Sequence, residues 1–401
     1  MSSRSRVHAW IAVCLLVPSA GAGQEQTERE VVELIVRDGP QARAIRSETE
    51  VTRREQLARL AYPNPSLTYS REGAGFTEFL QAEQPVPVFG ARAALSRAGG
   101  AATGAAEADR DARLWRLRSD AAAAVSRAVA EQARLEAARA YMRELERLIE
   151  ILRTREREGE GSRFDRLRAE EEYREANQVV ASATAALAEA RSVLTGMLPR
   201  DVPASTIAAA SPSGPMPAID ALSARAIAAR AELRALQQTE ARAAFEADAA
   251  RRARLPAPTV FGGLKRADDL SGRARGGVFG VTVSLPVFDR GGREAARWDA
   301  ERARADAERA SLEHRIRSEV AGAAQVLSVR QAAIAAEGQA GAEELVQIAE
   351  IAYREGEVGI LELLDAVRTA ARARNRGIDL RLDVRLAQVA LERAIGAPVW
   401  P

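Results

Sequence analysis

Two histidines, one cysteine and one lysine are all that a chain of 401 residues contains of those three types. His8 and Cys14 fall in an N-terminal stretch that reads as a cleaved leader, so the mature chain keeps His314 and no thiol. A Cys/His zinc site, a thiol nucleophile, a redox pair and a disulfide framework are therefore excluded. Aromatic residues make up only 4% of the chain, and many of the 47% apolar residues are alanines, which favours thin helix–helix interfaces over a thick core. After the leader no run of eighteen apolar residues occurs, so no transmembrane helix is expected. No nucleophile, base and orienting group stand in any visible arrangement, so neither catalysis nor a metal or cofactor is expected.

What the chain has in quantity is arginine, at 57 of the 58 basic residues, set against 56 acids for a net charge of +2. A nucleic-acid footprint needs bases clustered on one face. Here acids interrupt them, as in ERARADAERA at 301–310, which excludes nucleic acid and describes solvated helices. Enrichment in Ala, Glu, Arg and Leu points to long helices and coiled coils.

Residues 1–22 carry Arg4 and Arg6, an apolar run from Ala9 to Val17, and Ala20-Gly21-Ala22. That pattern is a secretory signal peptide cut after Ala22. Val13 in front of Cys14 argues against lipid attachment at that cysteine. The mature protein is expected to be exported, and any span of a membrane must then be built from strands.

Self-similarity organises the rest. YPNPSL at 62–67 answers LPAPTV at 255–260, PVF at 87–89 answers PVF at 286–288, and REGEGSRFDRL at 157–167 answers REGEVGILELL at 354–364. Three marks in one order at a nearly constant offset signal a duplication. The expected domains are the signal peptide 1–22, a first repeat 23–210, a linker 211–217 and a second repeat 218–401. Each repeat runs helix, β-hairpin, long helix, tight turn, helix, with the hairpins at 64–88 and 257–288.

The first helices are expected at roughly 24–61 and 218–254, each stopped by prolines. In VFGVTVSLP, Phe279, Val281, Val283 and Leu285 alternate with Gly280, Thr282 and Ser284, which is the period of a strand. Leu67 and Tyr69 alternate in the same way. After each PVF some 65 residues have a helical pattern, 91–156 and 290–354, each about 100 Å long at 1.5 Å per residue. Leu135, Ala138, Met142, Leu145, Ile149 and Leu152 form a heptad seam, answered on the returning helix by Val180, Ala183, Leu187, Ala190 and Leu194. In the second copy the return is expected through Leu361, Leu364 and Val367. The fold class is thus mostly α with a small β part: long antiparallel coiled hairpins plus four candidate membrane strands per chain. Four strands cannot close a barrel and lipid forbids an open edge. Two chains would supply eight strands and a filled interior, whereas three would supply twelve and leave a lumen.

With the doubled plan, the Pro-x-Pro entry into the first strand, VTVSLPVFDRGGREAA at 281–296 and AYREGEVGILELLDAVRTA at 352–370, the chain resembles the TolC-like outer-membrane channel family over nearly all its mature length. The resemblance implies a homotrimer with a twelve-stranded barrel in the outer membrane and a helical tunnel through the periplasm. It implies a passive exit duct of a tripartite efflux pump or type I secretion system, meeting a periplasmic adaptor and an inner-membrane transporter. Competing classes are a periplasmic coiled-coil adaptor and a structural envelope protein; both leave the tandem strand pairs unexplained.

The resemblance also assigns residues. The family's tyrosine, glycine and entrance carboxylates fall on Tyr353, Gly356, Glu362 and Asp365, the two acids three apart and so on one helix face. Three chains would gather six carboxylates at the inner mouth, a ring that attracts cations. Asp165 stands where the family ties the first turn to the second hairpin, and Val358 where the family has that tie's arginine. Gly159, Gly161, Gly356 and Gly359 mark the turns, the expected adaptor docking tips.

Overall fold

The computed structural model describes residues 26–73, 77–87, 89–199, 207–208, 214–255, 257–269, 272–337 and 340–400. The leader, Cys14 and residues 211–213 of the linker lie outside the described residues. The first copy runs β1 (Gln26–Thr27), α1 (Glu28–Asp38), α2 (Pro40–Arg59), β2 (Ser66–Glu72), β3 (Thr77–Pro85), α3 (Ala91–Glu158), α4 (Arg163–Met197) and β4 (Ile207–Ala208). The second runs α5 (Ile219–Ala229), α6 (Ala231–Arg252), β5 (Pro258–Asp269), β6 (Gly272–Val283), α7 (Gly292–Ala336), α8 (Ala340–Glu355) and α9 (Ile360–Ile395). None of these helices is long and apolar enough to cross a membrane among the described residues.

Three helices expected to be continuous are broken, and each break has a physical reason. The first stops at Gly39, because Pro40 begins α2 and disfavours helical geometry in the residue before it. Its counterpart breaks at the equivalent Arg230, where neither proline nor glycine is present. There the Arg230 guanidinium donates to the Ala394 carbonyl (2.9 Å) and to Glu232 (3.1 Å), so packing against α9 supports the bend. The outgoing arm of the second copy ends as α7 at Ala336 and resumes as α8 at Ala340, in a stretch holding Gly338 and Gly341. Each glycine costs a helix about 1 kcal/mol relative to alanine. By contrast α3 runs through Gly99, Gly100 and Gly104 for 68 residues, about 100 Å. A Cβ at Gly104 would lie 3.1 Å from Gln238 Oε1 on α6, so the glycine buys close approach of the two helices rather than a bend.

β1 and β4 pair in parallel, and the other four strands form one antiparallel sheet in the order β2-β3-β5-β6, the two hairpins joined through β3 and β5. Register places Leu67, Ala82, Gly262 and Phe279 in one row and Tyr69, Leu80, Leu264 and Gly277 in another, all on one face. That face is apolar and open: Phe279 is 89% exposed, Leu67 72% and Leu264 67%. The other face carries Thr68, Gln81 and Gly263, and Ser70, Phe79 and Lys265, in its rows. The outer edges of β2 and β6 have no strand partner among the described residues.

Burial is divided among three apolar clusters strung along the helices. One gathers Val31, Val32 and Ile35 of α1 with Leu117 and Val125 of α3 and Leu194 of α4. Its second-copy relative packs Leu222 and Leu233 with Leu312, Ile316, Val320, Leu391, Ile395 and Trp400. The third lies at the far tip and draws on both copies: Tyr141, Leu145, Ile149 and Leu152 of α3, Ala169 and Ala176 of α4, and Ile360, Leu363, Leu364 and Val367 of α9. Met142 only lines this core, and Leu361 points to solvent, 52% exposed, so Ile360 and Leu363 take the inward places.

Candidate functional site

The helix turns at 159–162 and 356–359 stand side by side at the end of the bundle opposite the sheet. Both reverse by one device. Gly159 adopts φ 79° after α3, and the N–H groups of Glu160 and Gly161 donate to the Arg155 carbonyl at 2.9 and 3.0 Å. Gly356 adopts φ 77° after α8, and the Glu357 N–H donates to the Ala352 carbonyl at 2.8 Å. Left-handed backbone at a helix end favours glycine, which has no Cβ to clash. Gly161 is needed for space instead, since a Cβ there would lie 3.0 Å from the Glu156 nitrogen. Ser162 then caps α4, accepting from the Phe164 N–H at 3.1 Å. Gly359 precedes α9 in extended geometry, with Glu362 folded back so that its Oε2 would lie 3.0 Å from a Cβ at position 359. A carboxylate there suits the positive end of the α9 dipole.

Asp165 and Tyr353 meet across the two hairpins: the phenol O–H donates to Asp165 Oδ2 at 3.5 Å. The Arg155 guanidinium sits 5.4 Å from the Tyr353 ring centre. Burial first, and then the Asp165 carboxylate, push the phenol's pKa above its usual value, so it stays a proton donor. Val358 is half-buried and supplies no charge. Glu362 and Asp365 are both exposed on the face of α9 opposite the tip core, and neither forms an ion pair among the described residues.

A second link between the hairpins went unread in the sequence. Glu172 of α4 is buried, 7% exposed, and takes a hydrogen bond from Tyr141 of α3 at 2.6 Å. Arg368 of α9 grips the same carboxylate with two nitrogens, Nε at 3.1 Å from Oε1 and Nη2 on Oε2. Burial pulls the Glu172 carboxyl upward, but Arg368 and Tyr141 outweigh it and hold it below the usual carboxylate range. Burial, and then the same carboxylate, push the Tyr141 phenol upward. Farther up, Arg374 of α9 reaches Glu144 of α3 at 3.0 Å. The signal was present: Glu172 falls between Ala169 and Ala176 at the 3-and-4 spacing of the seam, where a charge needs a buried partner. Between α3, α8 and α9 lies a cleft of about 600 Å³, lined by Leu148, Ile151, Arg155, Val346 and Tyr353.

Residues 222–397 match the family described as Outer membrane efflux protein. Over 251 residues the chain is 30% identical to the cobalt-zinc-cadmium resistance protein CzcC of Cupriavidus metallidurans. That stretch is 59% of this chain and 57% of the length of that protein. Among solved structures, a membrane protein from Pseudomonas aeruginosa superposes with a TM-score of 0.74 at 21% identity, covering 92% of this chain and 93% of that one. CusC, described for its folding and transmembrane channel formation, gives 0.72 at 17% identity over 93% and 92% of the two chains. The MtrE outer membrane channel of Neisseria gonorrhoeae, in an open state, gives 0.73 at 18% identity over 93% and 89%. These likenesses establish the fold along nearly the whole chain.

Proposed function

We propose, for a chain whose residues 222–397 match the outer membrane efflux protein family and whose fold resembles outer-membrane channels along nearly its whole length, that three copies assemble into a passive exit duct crossing the periplasm and the outer membrane. The observation that carries this reading is the sheet: one face is apolar and exposed, and both outer edges lack a partner among the described residues. In lipid every backbone N–H and C=O must pair, so β6 of one chain has to meet β2 of the next until the ring closes. Three four-stranded sheets give twelve strands and a lumen, whereas two would fill their own interior. The helices then continue the ring as a tunnel, with the tip turns at its inner mouth.

At that mouth the contact of Asp165 with Tyr353 and the pairing of Arg368 with Glu172 hold the two hairpins of a chain together and keep the opening narrow. Glu362 and Asp365 of three chains supply a ring of six carboxylates that concentrates cations. Divalent transition metals are the proposed cargo, supported by that ring and by the name of the relative CzcC. Carboxylates facing water bind such ions loosely, which suits passage rather than storage. The turns at Gly159, Gly161, Gly356 and Gly359, with the adjoining cleft, form the surface for a periplasmic adaptor, which would connect the duct to an inner-membrane transporter. Selectivity then resides in that transporter.

Fractionation tests the core of this reading: a trimer in outer membranes that dissociates on heating supports the duct, and a soluble periplasmic monomer overturns it. In single-channel recordings, alanine at both Glu362 and Asp365 is expected to abolish most block by multivalent cations. Unchanged block would assign the cation-attracting ring to other residues.

A further inference from the structure

The apolar face of the sheet changes character abruptly toward the loops that join β2 to β3 and β5 to β6. Register places Arg71, Glu78, Arg266 and Arg275 in one row of that outward face, and Asp268 and Arg273 in the next. Immediately below them stands the row of Tyr69, Leu80, Leu264 and Gly277. Val283 and Arg275 are eight residues apart, about 26 Å along a tilted strand at about 3.3 Å per residue. At a tilt of about 40° that is about 20 Å of height, so the arginines begin at the margin of an apolar band of about 25 Å.

Four arginines against two carboxylates leave the outward face of this rim positive by two charges in every chain. The carboxylates organise it: Arg273 Nε lies 3.0 Å from Asp268, Arg266 Nη1 lies 3.8 Å from Glu78, and the Tyr69 O–H donates to Glu78 at 3.4 Å. Arg275 is exposed, and the Arg266 Nε is shielded yet makes no hydrogen bond among the described residues. The helices leave the sheet at its other end, so this rim faces away from the tunnel.

We propose that this arginine rim binds the phosphate groups of the glycolipid in the outer leaflet, fixing the height and tilt of the barrel in its membrane; this rests on the duct reading above. The face that must contact acyl chains runs continuously into the arginines, so the anion that meets them is the headgroup of the same lipid. Guanidinium groups match phosphate oxygens two at a time, and each base near an anionic surface adds roughly 1 kcal/mol of attraction. Twelve arginines from three chains would surround the barrel.

The test uses the full-length trimer in neutral detergent, with native mass spectrometry reading bound lipid. The probes are a diphosphorylated acylated disaccharide and its phosphate-free analogue. The wild type is expected to bind the phosphorylated lipid at least tenfold more tightly. Arg266→Gln with Arg275→Gln should cut that preference to threefold or less, and Glu78→Gln should raise it. Arg302→Gln with Arg304→Gln, on the water-facing α7, should leave it unchanged. If the double variant fails to trimerise, Arg275→Gln alone is expected to lower the preference about threefold. Equal binding of both lipids by the wild type, or an unaltered preference in the rim variants, overturns the proposal. Displacement of the lipid by millimolar inorganic phosphate would overturn it too, since the ligand would then be the free anion. Absence of any membrane-bound trimer would sink the duct reading itself, whereas a stable trimer without phosphate preference sinks only the rim.

Discussion

The two coiled hairpins follow one path with different continuity: the outgoing arm of the first is a single helix of 68 residues, while that of the second is divided into 45 and 16. The two arms share a route but differ in local stability. The first arm has no glycine between Gly104 and Gly159, whereas the second passes Gly322, Gly338 and Gly341. In α3 the tip core buries Tyr141, Leu145, Ile149 and Leu152, but no described side chain of α8 is fully buried, and Ile348 and Ile351 are more than half exposed. Local opening costs least where few apolar contacts are lost. The second hairpin is therefore the yielding wall of the tip, and the first is the rigid one.

The strongest way to break this contrast is to free the yielding wall from the rigid one. Arg368→Ala leaves the Glu172 carboxylate buried without its counter-charge, a loss of about 3 kcal/mol. Hydrogen exchange should quicken across α8 and α9 while the upper half of α3 stays protected; uniform loss of protection would deny that the two walls differ. The same contact has a pH signature. Because the folded-state pKa of Glu172 is lowered, its stabilising contribution is complete above the ordinary carboxylate value, about pH 4.3. It is lost as pH falls through the lower folded-state value. Protection at the tip should thus drop only in acid, and Glu172→Gln should remove that dependence.

A smaller effect is expected at the turns. Tyr353→Phe deletes the O–H that reaches Asp165 at 3.5 Å and should cost about 1 kcal/mol. The visible result would be a rise in open probability of the proposed channel; an unaltered value would mean that Arg368 alone holds the mouth. Smallest of all, Gly341→Ala should stabilise α8 by about 0.5–1 kcal/mol, since an added Cβ meets nothing within 4 Å. Slower exchange of α8 amides would sharpen the comparison, and no change would show that glycine is not what weakens that arm.

Legibility differed by the range of the interaction. Gly159 and Gly356 were readable because a turn that needs left-handed backbone states its requirement in one residue. The alternation Phe279, Val281, Val283 was readable because exposure to one medium on one face has a period of two. Leu361 was misread as inward because several apolar residues, Ile360, Leu361, Leu363 and Leu364, cluster at the start of α9. Only the position of α3 decides which of them it covers. Arg368 and Glu172 were passed over because they lie 196 positions apart, and charge on a helix is ordinarily solvated.

By itself, then, the sequence determined the order and types of the elements, since composition and short periods record local preference directly. Tertiary structure alone decided the bend at Arg230, the union of two hairpins into one sheet through β3 and β5, and the grip of Arg368 on Glu172. Each of those depends on which distant surface a residue meets, and free energy of that kind exists only once the chain has folded back on itself.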